Sequence, residues 1–249
     1  MTEKEFLETY DPGAYEKPSV TADILIFTVN REYQPELLLI KRGGHPYKDK
    51  WAIPGGFVEI DEAVEAAAAR ELMEETGLGN IYLEQLYTFG AVARDPRMRV
   101  ISVAYMALVS QNKLCIKAGD DAAQARLFRI GIDNWELSFI SADGLRLSAG
   151  DLAFDHEEMI RMGLNRLAGK LDYTNIGFEF LENSSCFTIY EFKRIYDGIK
   201  GKVSDLGNFR RTFKRRFIDE GIVSELDQTS TRFSKKEAKC YKYNYQQED

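Results

Sequence analysis

Glu71, Glu74 and Glu75 stand at i, i+3 and i+4, a spacing that puts three carboxylates on one face of a helix. Like charges placed so repel. Two remedies are open: water around an acidic face, or a hard divalent cation that takes carboxylate oxygens and shares phosphate oxygens with a substrate. Arg70 directly precedes Glu71 and can orient a glutamate of the cluster. Upstream, Gly55 and Gly56 carry no side chain, which lets backbone carbonyls approach a ligand closely.

The elements that must position these residues follow from pattern. Asp61 can cap a helix start, Ala66 to Ala69 are strong helix formers, and Gly77 suits a left-handed stop. Val64, Ala67, Ala68, Glu71, Leu72 and Glu75 fall along neighbouring stripes, so one flank packs while the next carries acids. Trp51-Ala-Ile-Pro-Gly-Gly reads as a short strand breaking into a loop. Residues 20–29 and 36–42 read as buried strands joined by a turn at Tyr33-Gln-Pro35, and 81–89 and 100–109 as further strands. A later helix is expected over 157–167, where His156 is either a satisfied helix-start residue or a contributor near the site. Arg94 and Arg97 lie in a cation-rich loop that is either solvated or a clamp for substrate phosphates, which guanidinium forks suit. Tyr47 either stacks on a base or packs, and packing is the simpler reading.

Taken together, Gly56, Glu62, Arg70-Glu71-Leu72, Glu74-Glu75 and Gly77-Leu78 resemble the Nudix box at every fixed position. The resemblance implies a mixed α/β sandwich that hydrolyses a nucleoside diphosphate linked to another moiety. It implies Mg²⁺ (or Mn²⁺) held by Glu71, Glu74 and Glu75, with the Gly55 carbonyl and, more distantly, Glu62. A carboxylate from a later loop often completes such a site, which makes Asp120 and Asp121 candidates; as adjacent acids in a turn they can equally be solvated. The implied catalytic set is Glu74, Glu71, Arg70, Asp120 and Asp121. The general base stays open between Glu74 and the 120–121 loop.

The charge of the chain is unevenly shared. A net −7 over 249 residues argues against nucleic acid, yet from Phe187 onward there are 14 Lys and Arg against 10 acids, leaving 19 against 30 before it. Such a split suggests two modules with different partners. Thr188 and Glu191 form a capping-box pattern opening a helix with an apolar face at Ile189, Phe192, Ile195, Tyr196 and Ile199. A second helix is expected from Ser204 to Phe217. Phe209, Phe213 and Phe217 must be buried together, while Arg210, Arg211, Lys214, Arg215 and Arg216 spread over the remaining surface. Helix, turn and basic helix outline a helix-turn-helix, with a two-stranded wing over 222–244 that adds Arg232, Lys235 and Lys236. Such a basic face is either simply solvated or a binder of DNA phosphates, and Arg210, Arg211, Lys214 and Arg215 are the DNA-binding candidates.

Cys115, Cys186 and Cys240 are odd in number and widely spaced, so they read as reduced thiols of a cytoplasmic protein rather than a zinc site. No run is long enough to span a bilayer, and the first residues carry no basic-then-apolar signal. Leu152 to His156, Phe187-Thr188 and Gly207 to Arg211 extend the resemblance to Nudix-related transcriptional regulators, which join an ADP-ribose-pyrophosphatase-like domain to a C-terminal winged helix. The expected fold class is α+β: a Nudix α/β/α sandwich with a mixed sheet over 1–170, a connecting strand and turn over 171–185, and a winged helix over 186–249. A homodimer is implied by the resemblance. Because the box is intact, a Mg²⁺-dependent hydrolase of ADP-ribose-like compounds with a DNA-binding-type tail is the first reading. A transcriptional regulator that senses such a ligand without turnover is the second, and a scaffold with neither activity the third.

Overall fold

The computed structural model describes residues 1–114, 122–133, 136–233 and 236–244. Strand β1 (Ser19–Val29) lies at the centre of a mixed sheet because its residues are apolar on both faces. It runs parallel to β6 (Val100–Leu108) and antiparallel to β2 (Pro35–Arg42). Strand β5 (Tyr82–Phe89) extends the sheet beyond β6. On the other side β7 (Ala122–Asp133), β8 (Glu136–Ser141) and β9 (Arg146–Ser148) follow β2 in order. The short β3 (Trp51–Ala52) pairs with β2, and β4 (Gly55–Phe57) pairs with β1, Asp23 facing Gly55 and Ala22 facing Gly56.

Alternation along β1 sorts two layers, as a period of two requires. Ala22, Ile24 and Ile26 face helix α2 (Val64–Thr76), which buries Ala67, Ala68 and Leu72 against them. Leu25 and Phe27 face helix α3 (His156–Lys170), which contributes Met159, Ile160, Leu164 and Leu167. At Gly163 a Cβ would come within 2.6 Å of Leu25, so the absent side chain lets α3 sit close on the sheet. The result is the expected α/β/α sandwich. Helix α1 (Glu3–Thr9) precedes it and buries none of its residues.

The C-terminal module opens with β10 (Phe187–Thr188) and α4 (Ile189–Lys200). Helix α5 (Leu206–Phe213) continues as one wide π-helical turn, Lys214–Ile218. Strands β11 (Val223–Ser230) and β12 (Ala238–Tyr243) form the wing, and β12 lies between β10 and β11. The expected capping is half present: the Thr188 hydroxyl accepts from Glu191 N at 3.1 Å.

Three expectations are corrected. Asp61 does not cap α2. The turn before the helix is closed by Glu62, whose carboxylate accepts from Glu59 N at 2.9 Å, and the helix then starts from Ala63 without a side-chain cap. Residues 171–185 hold no strand; Ile176–Phe180 form a 3-10 turn. Its Phe178 stacks on Phe192 (4.4 Å) and on Tyr243 (4.3 Å), so burial of two aromatics decides the conformation. The second helix starts at Leu206, capped by Asp205, rather than at Ser204.

Candidate functional site

Gly55 and Gly56 bring β4 against both β1 and α2. A Cβ at Gly55 would lie 2.4 Å from the carbonyl of Ala22, and one at Gly56 only 2.1 Å from Glu71 Oε1. The Glu71 carboxylate therefore lies directly on the glycine backbone. Helix α2 ends where expected: Gly77 is left-handed (φ 69°) and its N–H donates to Met73 O at 2.7 Å.

Arg70 gathers the acids. Its Nη2 donates to Glu62 Oε1 at 2.8 Å and to the Phe57 carbonyl at 3.3 Å, and its Nη1 donates to Glu71 Oε1 at 2.7 Å and to Glu74 Oε1 at 3.5 Å. Hydrogen bonding to Arg70 holds Glu62 below the usual carboxylate range. Glu71 moves the other way, because burial outweighs the pull of Arg70, with Glu74 and Asp23 adding to the rise. Glu71 and Glu75 are buried while Glu74 is exposed. Among the described residues no three acidic, histidine or cysteine side chains converge as a ready ligand set; the guanidinium lies among the glutamates instead. The donors are nonetheless oxygens, as a hard divalent cation requires. The glycine cradle keeps Glu71 at the backbone where the carbonyl donor was expected. In kind, the residues fit the metal.

Behind the box lies a residue that the motif does not contain. Asp23 is buried on β1, opposite Gly55, and accepts from Thr21 Oγ1 at 3.2 Å and from Ser102 Oγ on β6. His156 is buried too, and its Nδ1 accepts from Ile53 N at 2.9 Å, making it a satisfied helix-start residue. The only sequence signal for Asp23 is one acid within an apolar strand.

The remaining site candidates divide. Arg94 is buried in a two-pronged pair with Asp155 (3.0 and 2.7 Å), so its fork already holds a carboxylate. Arg97 pairs with Asp95 (2.8 Å), and its guanidinium stands 5.6 Å from the Phe57 ring, beside the box loop. Tyr47 packs on Phe154 at 4.7 Å and is partly exposed. Asp120 and Asp121, with Cys115 and Lys235, lie outside the described residues.

In the C-terminal module Phe213 and Phe217 are buried and Phe209 packs beside them, while Arg210, Arg211, Lys214 and Arg215 are all exposed. Of the other basic residues expected on this surface, Arg216 turns inward, while Arg232 stays exposed but is engaged by acids. Arg216 donates to the carbonyls of Leu171 (3.0 Å) and Thr174 (3.1 Å). Arg232 pairs with Glu182 (2.5 Å) and lies 3.7 Å from Glu191.

Residues 17–132 match the NUDIX domain family. Along its whole length the chain is 33% identical, over 250 residues, to the ADPR responsive transcriptional repressor NtrR of Acinetobacter baylyi, spanning 100% of this chain and 91% of the relative. The chain belongs to the Nudix family. Its likeness extends through the C-terminal module to the Nudix-related regulators. Shewanella oneidensis NrtR in complex with a 27mer DNA superposes with a TM-score of 0.68 at 26% identity, covering 90% of this chain and 93% of that one. The NUDIX domain of the same NrtR with ADP ribose gives 0.52 at 32% identity, covering 67% and 99%. Over 147 residues the chain is also 38% identical to the ADP-ribose pyrophosphatase of Methanocaldococcus jannaschii, spanning 59% of this chain and 73% of that enzyme.

Proposed function

We propose that this Nudix protein is a DNA-binding transcriptional regulator whose N-terminal domain, roughly residues 1–170, takes ADP-ribose or a related nucleoside diphosphate. The observation that carries the reading is the exposed cationic set Arg210, Arg211, Lys214 and Arg215 on a helix whose other side is locked by phenylalanines. Likeness to a repressor over the full chain supports it and moves regulation ahead of hydrolysis. The DNA-facing residues lie in the module from about 186, with 171–185 as the connector. Two copies in a homodimer would suit a palindromic duplex site, and the place of action is the cytoplasm. Among the described residues no helix is long and apolar enough to cross a membrane.

Phosphate contacts supply affinity that falls with salt, each neutralised phosphate contributing a slope of about −0.9. The double variant Arg211→Ala/Lys214→Ala is expected to weaken duplex DNA binding and flatten its salt dependence by roughly two phosphates' worth. Fluorescence anisotropy across a salt series reads both. An unchanged affinity and slope would refute the assignment.

Hydrolysis is the second reading, and the intact box favours it. Mg²⁺ or Mn²⁺, held by Glu71, Glu74, Glu75 and the Gly55 carbonyl with Glu62 more distant, would neutralise phosphate charge and acidify a bound water. Arg70 fixes Glu71 and Glu62 for that task, Arg97 and Tyr47 border the ligand, and Glu74 or the 120–121 loop accepts the proton. Arg94 serves by bracing the loop against Asp155. Release of AMP and ribose 5-phosphate from ADP-ribose with Mg²⁺, lost in Glu74→Gln, is the expected result if turnover accompanies regulation. No release would leave other nucleoside diphosphate derivatives open as substrates and favour the sensor reading.

A further inference from the structure

Two thiols meet on the sheet of the C-terminal module. Thr188 on β10 faces Cys240 on β12, and Cys186 lies one residue before the start of β10, at the turn that enters the strand. The approach is held at both ends of this segment: Tyr243 N donates to Ser184 O at 2.8 Å, and Phe187 faces Tyr241. Cys186 Sγ lies 3.8 Å from Gln228 Oε1 on β11, across the central strand that carries Cys240. The Cys186 side chain thus reaches across β12, the strand that carries Cys240, toward β11, and the Cys186 thiol is among the groups that raise the Cys240 thiol. Cys186 is partly exposed and Cys240 buried.

We propose that Cys186 and Cys240 form a reversible oxidation site, closing an intramolecular disulfide when the protein meets a peroxide. The Cys186 thiolate attacks one peroxide oxygen and the O–O bond breaks. Cys186 becomes a sulfenic acid, and hydroxide leaves and takes up the thiol proton as water. The Cys240 thiol then attacks the sulfenic sulfur, the S–S bond forms, and a second water departs. One peroxide is reduced and two thiols are oxidised. The order of roles follows from exposure. Burial, with the Cys186 hydrogen bond and the charge of Glu191, pushes the Cys240 thiol up to about 11, which suits it to resolve rather than initiate. The bond would tie the entry of α4, whose cap is Thr188, to the central strand of the wing. The site stands whether or not the module binds DNA.

The test is hydrogen peroxide treatment of the full-length protein, then thiol counting and peptide mapping by mass spectrometry, with Cys186→Ser and Cys115→Ser beside wild type. The expected result is loss of two of the three thiols, a 186–240 cross-linked peptide, full recovery with dithiothreitol, and no cross-link in Cys186→Ser. Cys115→Ser should cross-link as wild type does. Three free thiols after treatment, over-oxidation of Cys186 without a cross-link, or pairing through Cys115 would each overturn the proposal. Because the readout is chemical, its failure is distinguishable from failure of the DNA-binding reading, which anisotropy tests.

Discussion

Buried polar residues behind the box depend on one another, and His156 gives the sharpest handle. Burial holds its imidazole below the ordinary range; Asp23 and Asp155 pull it up, while Arg94 and Arg42 push it further down. The folded protein thus keeps His156 neutral at a pH where the unfolded chain, titrating near about 6.5, takes a proton. Stability contributed by the neutral form is present above about pH 6.5 and is lost as pH falls below it, by up to about 1.4 kcal/mol per pH unit. His156→Asn keeps an acceptor for Ile53 N but has no proton to gain. Its thermal midpoint should therefore fall less steeply than that of wild type between about pH 7 and 5; parallel slopes in calorimetric scans would contradict the role. The box glutamates and Arg70 were legible beforehand because their relation is local, a matter of spacing along one helix. Asp23 and Ser102 were not, since only the pairing of β1 with β6 and β4 brings single polar residues of apolar strands to the box. Arg94 misled for a related reason: a fork that fits a phosphate fits Asp155 equally well.

At the scale of elements, helix α2 is bounded unevenly. Its start lacks a side-chain cap and leans on Glu62 and the turn before it, whereas its end rests on Gly77 in the left-handed region. Gly77→Ala should cost about 1 kcal/mol, the penalty a Cβ brings to that conformation. Urea unfolding would show it as a lower midpoint at an unchanged slope, and an unshifted midpoint would mean the helix end relaxes freely. The stop was readable because glycine has few reasons to follow a periodic run. The start was not, because Asp61 satisfies a capping rule that the tertiary use of Glu62 by Arg70 overrides. The same contrast holds in the tail. Phenylalanines every fourth residue announced α5, but the segment around Phe178, expected to hold a connecting strand, forms a 3-10 turn that two ring stacks impose.

Across the molecule, the two modules are joined by contacts that no single element foretells. A Cβ on Gly198 of α4 would lie 1.7 Å from the carbonyl of Tyr33, at the turn between β1 and β2, so helix and turn touch backbone to backbone. Arg194 donates to the Glu32 carbonyl at 3.3 Å and lies over the Tyr33 ring, while Phe233 of the wing meets the same ring edge-on at 6.0 Å. Strand β1 therefore runs from the box glycines at one end to the winged helix at the other. Arg216 braces the opposite side through the Leu171 and Thr174 carbonyls. Charged hydrogen bonds of this kind contribute about 1.5–3 kcal/mol, and every 1.4 kcal/mol is tenfold in an opening equilibrium. Arg216→Ala should raise the rate of limited proteolysis within 171–185 about tenfold or more, by populating a state in which the connector has left its seat. Gly198→Val should do the same from the other side, since α4 cannot keep its place over Tyr33 with a side chain there. If the proposed function holds, the modules communicate through this seat only if ADP-ribose changes DNA affinity less in these variants than in wild type. An equal ligand effect, with proteolysis accelerated, would show that docking and response are separate.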